Sequence, residues 1–409
     1  MLKILNKPII HYLPTLKNFC LTPLRYLAWL LSFMIPVDKS LWLICCGKKQ
    51  YWGGNVRAFY EEVAKDTSIR IVIFNSGQTD PKKITHLYDN CELFQGISWK
   101  NLWLIYRSQV IVISHGTGDI PFLAKKPAYC LLVNLWHGIA LKGLGNMDVR
   151  VKTSKAINAL KKETNQYDLL SVSSEIDRAV MSASFLLPTS KIVVTGLPRN
   201  DWLVENLAML PNDLNMRKIE NNPFADKTFI LYAPTFRDWQ NGEYCFSIDE
   251  VKKLIELLEK NNAILGIRGH VNDTNALDHL MKTSSCIVDC GFHHFPDIHG
   301  LLACADIVIT DYSSLWVDYL LIDRPIIGFV YDLNKYLQGR NLNYDYVSFF
   351  PGELVKNGDE LLVALENCLA GEDLFKPQRQ FARGLLFSYP QGGASNRLKS
   401  LVLQRLQKT

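Results

Sequence analysis

A side chain that could transfer a proton follows one of the apolar runs in this sequence. The run Tyr129–Val133 leads into Asn134-Leu135-Trp136-His137-Gly138. Histidine has an ordinary pKa of about 6.5, which suits removal of a hydroxyl proton near neutral pH. Gly138 permits a tight turn, so His137 is a candidate general base. Taken alone, the motif is more typical of a hydrogen-bonded structural histidine.

Arginine and histidine follow two apolar runs further along the chain, where they could bind phosphate. Thr228–Tyr232 leads towards Arg237-Asp238, and Ala263–Ile267 leads into Arg268-Gly269-His270. A guanidinium donates two parallel hydrogen bonds to phosphate oxygens, and a neighbouring histidine adds a charge-assisted bond. Both motifs therefore predict anion binding. The alternatives are a surface turn with a weak ion pair at Arg237-Asp238 and an ordinary turn residue at His270.

A pair of serines follows a third apolar run. Ile307–Thr310 is followed by Asp311-Tyr312-Ser313-Ser314, and a helical pattern begins at Leu315. Free backbone N–H groups at a helix start, together with hydroxyl groups, can hold a phosphate. Ser313 could instead cap the helix, and the two roles are compatible.

The histidines between residues 293 and 299 do not follow a known metal motif. His293, His294 and His299 lie near Asp289 and Asp297, but without the ligand spacing of zinc sites. The patterns GxxxxGK[ST] and GxGxxG are absent from the sequence as well. The sequence therefore predicts neither a metal ion nor a cofactor.

Two series of short apolar runs, alternating with helical patterns, must position these polar residues. Such alternation is typical of parallel sheets covered by helices. Strands are expected near Leu41–Cys46, Ile69–Phe74, Val110–Ser114, Tyr129–Val133, Leu169–Val172 and Ile192–Thr195 in the first series, and near Thr228–Tyr232, Ala263–Ile267, Cys286–Asp289, Ile307–Thr310 and Pro325–Phe329 in the second. Ligands of such sheets bind beyond the carboxyl ends of the strands, so the polar residues are expected to line one cleft.

The same patterns divide the chain into five parts. They are a basic amphipathic segment over 1–37, a Rossmann-like domain over 38–206, a polar linker over 207–227, a second Rossmann-like domain over 228–385 and a C-terminal helix over 386–409. The uncharged stretch Tyr26–Val37 is too short for a bilayer, which needs about 20 apolar residues. It predicts either a helix lying in an anionic membrane surface or a helix packing on the first domain.

Composition argues against two further features. The 409 residues carry a formal net charge of only +5, which gives no argument for a nucleic-acid partner. The ten cysteines are scattered, mostly within apolar runs, and no CxxC pair occurs. They predict a reducing, cytoplasmic environment rather than disulfide bonds.

Five ordered motifs give the sequence a specific resemblance to a known family. They are Leu135-Trp136-His137-Gly138, Gly196-Leu197-Pro198-Arg199-Asn200-Asp201, Tyr232-Ala233-Pro234-Thr235-Phe236-Arg237-Asp238, Arg268-Gly269-His270 and Ile309-Thr310-Asp311-Tyr312-Ser313-Ser314. Together they resemble the CDP-glycerol glycerophosphotransferase family, the teichoic-acid primases and polymerases. The resemblance implies a GT-B-like α/β fold, in which two doubly wound Rossmann-like domains face one another across a cleft, after a short N-terminal amphipathic segment.

The resemblance also implies a reaction and a set of site residues. A hydroxyl of a polymer or lipid-linked acceptor would attack the β-phosphorus of a CDP-linked donor and CMP would leave, at the cytoplasmic face of a bacterial membrane. The first domain would bind the acceptor and the second the donor. By this resemblance His137 and His270 are catalytic; the donor and phosphate set is Arg237, Arg268, Thr310, Asp311, Ser313, Ser314 and Arg340; and the acceptor or cleft-lining set is Asn55, Trp136, Lys142, Arg199 and Asn200.

Three departures from the family pattern leave the donor alcohol open. Val271 follows His270, Asn341 follows Arg340, and Phe236 replaces a more usual tryptophan, so the donor is CDP-glycerol, CDP-ribitol or another CDP-polyol. The product would belong to teichoic-acid-like or capsule polysaccharide synthesis. Two other functions compete with this one: a GT-B glycosyltransferase that uses a nucleotide sugar, and a non-catalytic membrane-associated scaffold. Whether the chain forms a homo-oligomer is also open.

Overall fold

A computed structural model describes most of the chain. The described residues are 23, 25–46, 52–75, 84, 88–96, 98–120, 123, 125–151, 153–204, 210–216, 224, 226–235, 237, 244–269 and 280–408. Residues 25–31 are helical and run into the 3-10 turn Ser32–Met34. The remaining elements form two parallel sheets with flanking helices.

The first sheet contains seven strands within the described residues. Its spatial order is β3-β2-β1-β4-β5-β6-β7, with every pairing parallel. The strands are β1 (Asp38–Cys45), β2 (Arg70–Asn75), β3 (Cys91–Gln95), β4 (Ser108–Ile113), β5 (Leu131–Asn134), β6 (Leu169–Val172) and β7 (Ile192–Val194). We call this sheet and its helices the first domain.

The second sheet contains six strands in the described part of the chain. Its spatial order is β10-β9-β8-β11-β12-β13, again with every pairing parallel. The strands are β8 (Thr228–Ala233), β9 (Ala263–Ile267), β10 (Ile287–Asp289), β11 (Ile307–Thr310), β12 (Ile326–Phe329) and β13 (Glu353–Val355). This sheet and its helices form the second domain.

Helices separate most of the strands. They are α1 (Gly54–Val63), α2 (Trp99–Arg107), α3 (Ser154–Thr164), α4 (Glu175–Phe185), α5 (Asp201–Val204), α6 (Ile248–Lys260), α7 (Ile298–Cys304), α8 (Leu315–Tyr319), α9 (Leu333–Gly339), α10 (Tyr346–Phe349), α11 (Gly358–Leu369), α12 (Lys376–Leu386) and α13 (Ala394–Gln407). Helix α6 begins with a capping box, in which the side chains of Ser247 and Glu250 each bond to the other's backbone N–H.

Side chains of one strand alternate between two cores, because successive residues of a strand point to opposite faces. Leu41, Leu43 and Cys45 of β1 pack on one face of the first sheet, whereas Trp42 and Ile44 pack on the other. Both faces are covered, so β1 reads as an uninterrupted apolar run. The α/β fold with two parallel sheets is confirmed, and each predicted strand lies within a few residues of an observed one.

The C-terminal helix α13 packs on the first domain, although the second domain precedes it in the chain. Leu398 and Val402 are fully buried in the core that contains Trp42 and Phe59. Both carboxylate oxygens of Asp201 accept hydrogen bonds from the first backbone N–H groups of α13, at 2.8 and 2.9 Å. The two domains are therefore joined twice by the chain.

The predicted linker contributes to an apolar core shared by the two domains. Leu210, Leu214 and Met216 are buried in the cluster that contains Trp202 of the first domain and Leu301 of the second. Asp213 forms a two-pronged ion pair with Arg57 of α1, at 2.7 Å for each contact. This segment is therefore held by contacts with both domains. No helix in the described ranges has the length and apolar character needed to cross a bilayer.

Candidate active site

The turn that carries His137 begins where β5 ends. Oδ1 of Asn134 accepts a hydrogen bond from N of Trp136 at 2.8 Å, and Trp136 has a φ of 51°. Such left-handed backbone is uncommon outside glycine; here it leaves His137 exposed at the strand end. Nδ1 of His137 lies 3.3 Å from O of Ser114. When Nδ1–H donates to this carbonyl, Nε2 keeps its lone pair and can accept a proton.

A second histidine, His115, lies against His137. The two rings are nearly parallel, with centroids 4.3 Å apart and planes inclined by 13°. Nδ1 of His115 is 2.9 Å from Oγ of Ser114, and N of His115 donates to Oδ2 of Asp119. His115 follows β4, whose end is adjacent to that of β5 in the sheet. The stacked pair therefore arises from two neighbouring strand ends.

Asn55 and Arg199 hold the His137 turn from within the first domain. Nδ2 of Asn55 donates to the carbonyls of Leu135 and Trp136, at 3.2 and 2.9 Å. Oδ1 of Asn55 accepts from N of Arg199 at 3.0 Å. Nη1 of Arg199 donates to the carbonyl of His137 at 2.6 Å. Each carbonyl from 135 to 137 thus has a fixed donor.

The serine pair of the second domain faces this turn. A β-carbon added to Gly138 would lie 3.3 Å from Nη2 of Arg199 and 3.5 Å from Oγ of Ser314. Ser314 precedes the first residue of α8, and Oγ of Ser313 accepts from N of Leu315 at 3.4 Å. The carboxyl end of β5 and the region after β11 therefore meet between the domains, as the sequence predicts.

Arg237 is buried among the strand ends of the second domain. Its guanidinium is paired with Oδ2 of Asp311 at 2.8 Å and with Oδ2 of Asp332 at 2.7 Å. Asp311 also accepts from N of Thr235, and Oγ1 of Thr310 donates to O of Ala233 at 2.7 Å. Arg237 is therefore not in a surface turn with a weak ion pair, and that alternative is wrong. These contacts tie the ends of β8 and β11 together.

Arg268 braces the loop that follows β10. Its Nη1 donates to the carbonyls of Cys290 and Phe295, at 3.0 and 2.6 Å. Its Nη2 lies 3.4 Å from the carbonyl of Pro296. The guanidinium thereby fixes the approach of the chain to Asp297, the residue that caps α7.

A segment of the second domain, residues 341–343, pairs with the first domain beyond the His137 turn. We call this segment the strap. Lys142 and Leu342 form an antiparallel β-bridge, and N of Gly143 donates to O of Asn341 at 3.0 Å. A β-carbon on Gly143 would lie only 2.2 Å from Nδ2 of Asn341, so a larger residue could not fit without movement. Nζ of Lys142 lies 5.5 Å from the ring centre of Tyr336.

Arg340, at the end of α9, lies beside a carboxylate of the first domain. Hydrogen bonds from Arg150, aided by the charge of Arg340, hold the pKa of Asp148 below its ordinary value. This places Arg340 at the edge where the strap leaves the second domain.

The structure thus gathers only part of the predicted set at one place. The His137 turn, Arg199 and Ser314 approach one another between the domains at Gly138, and Asn55 holds the carbonyls of Leu135 and Trp136. Arg237, Thr310 and Asp311 lie in the supporting network of the second domain, and Asn200 is buried in the 3-10 turn Pro198–Asn200. His270 lies outside the described residues, so its convergence with His137 stays a prediction.

Comparison with known proteins assigns the family. A model of the family CDP-Glycerol:Poly(glycerophosphate) glycerophosphotransferase matches residues 24–404. The chain belongs to this glycerophosphotransferase family. The teichoic acid glycerol-phosphate transferase of Staphylococcus aureus (strain NCTC 8325 / PS 47) is 26% identical over 394 residues, which cover 93% of this chain and 96% of that one.

Two further matches bear on length and fold. The teichoic acid ribitol-phosphate polymerase TarL of the same strain is 31% identical over 239 residues, which cover 58% of this chain and 42% of TarL. The chain thus spans less than half the length of that relative. The structure of the wall teichoic acid polymerase TagF, H444N variant, aligns with a TM-score of 0.79, 25% identity and 97% coverage of both chains. The GT-B-like fold is thereby confirmed.

The described histidines near α7 do not form a metal-binding cluster. Among the described residues, no three His, Cys, Asp or Glu side chains could hold a metal ion together. His299 is buried and its Nδ1 lies 2.7 Å from Oδ1 of Asp297, whereas His294 forms an exposed pair with Asp289 at 3.3 Å. The two pairs occupy different environments despite their proximity in sequence.

Four residues beside the site were not predicted from the sequence to be part of it. They are His115, Asp297, His299 and Asp318. His115 was detectable, because it follows an apolar run just as His137 does. Asp318 has no such signal; it lies in α8, and its partner Arg199 is 119 residues earlier in the chain. Only the packing of the two domains brings that pair together.

Proposed function

We propose that this chain transfers glycerol phosphate, or a related polyol phosphate, from a CDP-linked donor to a hydroxyl group of a surface polymer or lipid-linked acceptor. The description of its family names CDP-glycerol. The observation that carries the proposal is the approach of Ser314 and Arg199 to Gly138, the residue after His137, between the two domains. The turn that carries the candidate proton acceptor and the serine pair that could bind phosphate then lie on opposite sides of the contact between the domains.

In this mechanism His137 acts as the general base. Nδ1–H donates to the Ser114 carbonyl, and Nε2 accepts the proton of the acceptor hydroxyl. The acceptor oxygen forms a bond to the β-phosphorus of the donor, the bond from that phosphorus to the bridging oxygen breaks, and CMP leaves with the bond electrons. Phosphoryl transfer depends mainly on positioning and electrostatic stabilisation, which is consistent with a site built from hydrogen-bond donors and cations.

The residues of the second domain divide into two roles in this proposal. Ser313, Ser314, Arg340 and His270 form the phosphate-binding set, while Arg268 braces the loop after β10. Arg237, Asp311 and Thr310 hold the ends of β8 and β11 in register beneath that set, because their polar atoms bond one another and neighbouring backbone. Arg237→Lys would keep the charge but lose the two-pronged geometry with Asp332.

The donor alcohol and the acceptor are assigned only by class. The names of the relatives include both glycerol-phosphate and ribitol-phosphate enzymes. CDP-glycerol and CDP-ribitol are therefore both candidate donors, and the acceptor is a teichoic-acid-like or capsule polymer, or its lipid-linked precursor.

Release of the nucleotide tests the proposal. The full chain is incubated with crude membranes and CDP-glycerol, CDP-ribitol or a UDP-sugar, and CMP or UDP is measured by chromatography. We expect CMP release from a CDP-polyol, and a decrease of about 10²–10⁴-fold in His137→Gln, because the hydroxyl would lose its base. His294→Gln, which changes an exposed histidine, serves as the matched control.

Each alternative function predicts a different result in this assay. UDP release without CMP release would identify a nucleotide-sugar glycosyltransferase. CMP release with His137→Gln equal to that with the unaltered chain would indicate that the membranes supply the activity and that the chain is a scaffold.

We also propose that the enzyme works at the cytoplasmic face of the membrane as a peripheral protein. The helical segment 25–34 exposes apolar side chains, which are Leu27, Leu30, Leu31, Phe33 and Met34. Tyr129 of the first domain extends this surface, its ring 6.3 Å from that of Phe33, and Nζ of Lys125 lies 4.0 Å from the ring centre of Trp29. Exposed apolar groups beside lysines fit an anionic membrane surface.

A further inference from the structure

A buried charged network joins the two domains next to the candidate active site. Asp297, His299 and Asp318 belong to the second domain and are 4%, 1% and 2% exposed. Nδ1 of His299 lies 2.7 Å from Oδ1 of Asp297, and its Nε2 lies 3.9 Å from Oδ2 of Asp318. The imidazole therefore stands between two carboxylates.

Both ends of this network reach into the first domain. At one end, Oδ2 of Asp297 accepts from N of Gly54, the first residue of α1, at 2.8 Å. At the other end, Oδ2 of Asp318 lies 2.5 Å from Nη2 of Arg199. The edge of the Trp202 ring packs on His299, with centroids 6.1 Å apart. These contacts exist only while the two domains are together.

Arg199 connects the network to the proposed base. Its Nη2 binds Asp318, while its Nη1 donates to the carbonyl of His137. Its backbone N–H is bonded to Asn55, which also holds the carbonyls of Leu135 and Trp136. A displacement of Arg199 would therefore be passed to the His137 turn through two sets of hydrogen bonds.

Stability alone is a weak reason for such a network. Burying charges costs several kcal/mol per ion, and well-packed apolar residues of similar volume are often as stabilising as a buried ion pair. The charged groups instead fix an orientation. The planar Arg199 guanidinium donates to a carboxylate on one side and to a carbonyl on the other, and both hydrogen bonds are directional.

We propose that Asp318 and His299 are positioning residues, which hold Arg199 so that the His137 turn takes its reactive position only when the two domains are closed. This inference rests on the proposed function in its catalytic part. The contacts of the network between the two domains can be tested without substrate.

The second domain provides a matched control. His294 and Asp289 form a pair of the same chemistry, with Nε2 and Oδ2 3.3 Å apart, but their side chains are 63% and 47% exposed. Removing that pair changes a surface contact of little energetic value.

The experiment compares His299→Gln and Asp318→Asn with His294→Gln and Asp289→Asn in the full chain. We expect the first two variants to lower kcat for CMP release by about 10–100-fold, because small misplacements of reacting groups have effects of this size, with KM for the donor nearly unchanged. Arg199→Lys and the double variant Arg199→Lys/Asp318→Asn are compared as well. The double variant is expected to lose little more than Arg199→Lys alone, because Asp318 acts through Arg199.

Hydrogen–deuterium exchange provides the readout that does not depend on activity. We expect His299→Gln and Asp318→Asn to speed backbone exchange in peptides that cover Gly54 and the His137 turn, and His294→Gln to leave it unchanged. Unchanged exchange in these peptides would overturn the network, whatever the activity. Faster exchange with wild-type kcat would overturn the positioning role. Faster exchange in a protein that releases no CMP from any CDP-polyol would retain the network and reject the proposed function.

Discussion

At the scale of single residues, the contacts that orient His137 include the carbonyl of Ser114 and the rings of His115 and Trp136. The carbonyl of Ser114 selects the tautomer, and the His115 ring restrains the plane of the imidazole. A hydrogen bond of 3.3 Å is long for N–H···O, so it alone leaves the ring free to tilt. The nearly parallel stack removes part of that freedom.

Replacing His115 separates stacking from chemistry. His115→Phe keeps an aromatic face against His137, whereas His115→Ala removes it. We expect kcat for CMP release to fall about tenfold in the alanine variant, because a mobile base spends less time in the reactive position, and to change little in the phenylalanine variant. Steady-state kinetics measures both. Equal loss in the two variants would show that the His115 imidazole takes part chemically.

Only part of the candidate site could be predicted, because some of its contacts join residues that lie far apart in the chain. His137 was found because histidine follows an apolar run and precedes glycine. The partners of Arg237 could not be found, because Asp332 lies 95 residues away in the chain and reaches it only after β8 and β12 enter one sheet. Sequence therefore indicated which side chains carry charge, and folding decided which of them neutralise one another.

At the scale of elements, burial decided which strands could be predicted. The central strands β1, β4 and β11 are buried over most of their length and appear as apolar runs. The strands β3 and β13 were missed. Both lie at the edge of a sheet and are largely only half-buried or exposed. The other two edge strands, β7 and β10, were predicted because each begins with two β-branched residues, whereas β3 and β13 contain glutamate and at most one β-branched residue.

The role of the helical segment 25–34 in membrane binding can be tested directly. Its exposed leucines and Met34 would lie in the headgroup region of a membrane. We expect the double variant Leu30→Glu/Met34→Glu to lose most of its sedimentation with phosphatidylglycerol vesicles, because each added charge opposes burial in the interface and repels anionic lipid. The measurement is a vesicle-pelleting titration at fixed ionic strength.

The second domain supplies the control for this prediction. Leu374 and Phe381 are 79% and 68% exposed. Leu374→Glu/Phe381→Glu adds the same charge at another exposed apolar pair and is expected to pellet like the unaltered chain. Equal loss in both double variants would show that net charge, rather than the segment 25–34, governs vesicle binding.

At the scale of the whole molecule, three of the buried groups at the contact between the two domains can titrate: Asp297, His299 and Asp318. Burial works to lower the pKa of His299, yet Asp297 and Asp318 raise it above its ordinary value. Burial works to raise the pKa of Asp318, yet Arg199 and His299 hold it below its ordinary value, and His299 does the same for Asp297. The folded chain therefore favours the charged form of all three groups.

The direction of the pH dependence follows from these shifts. The raised pKa of His299 gives a stabilising contribution that is fully present below the unfolded value of about 6.5 and is lost as pH rises through the folded value. The lowered pKa values of Asp297 and Asp318 give contributions that are present above about pH 3.9 and are lost as pH falls. The network is thus strongest between about pH 4 and 6.5.

Unfolding of His299→Gln across pH tests this at the level of the whole chain. Between about pH 4 and 6.5 we expect the variant to be less stable than wild type by about 3–5 kcal/mol, because buried Asp297 loses its cation and Asp318 keeps only Arg199. The difference should shrink as pH rises, since wild-type His299 then loses its proton as well. Denaturant unfolding followed by circular dichroism measures the difference, with His294→Gln expected to match wild type throughout. A difference that grows with rising pH would mean that His299 is neutral in the folded chain.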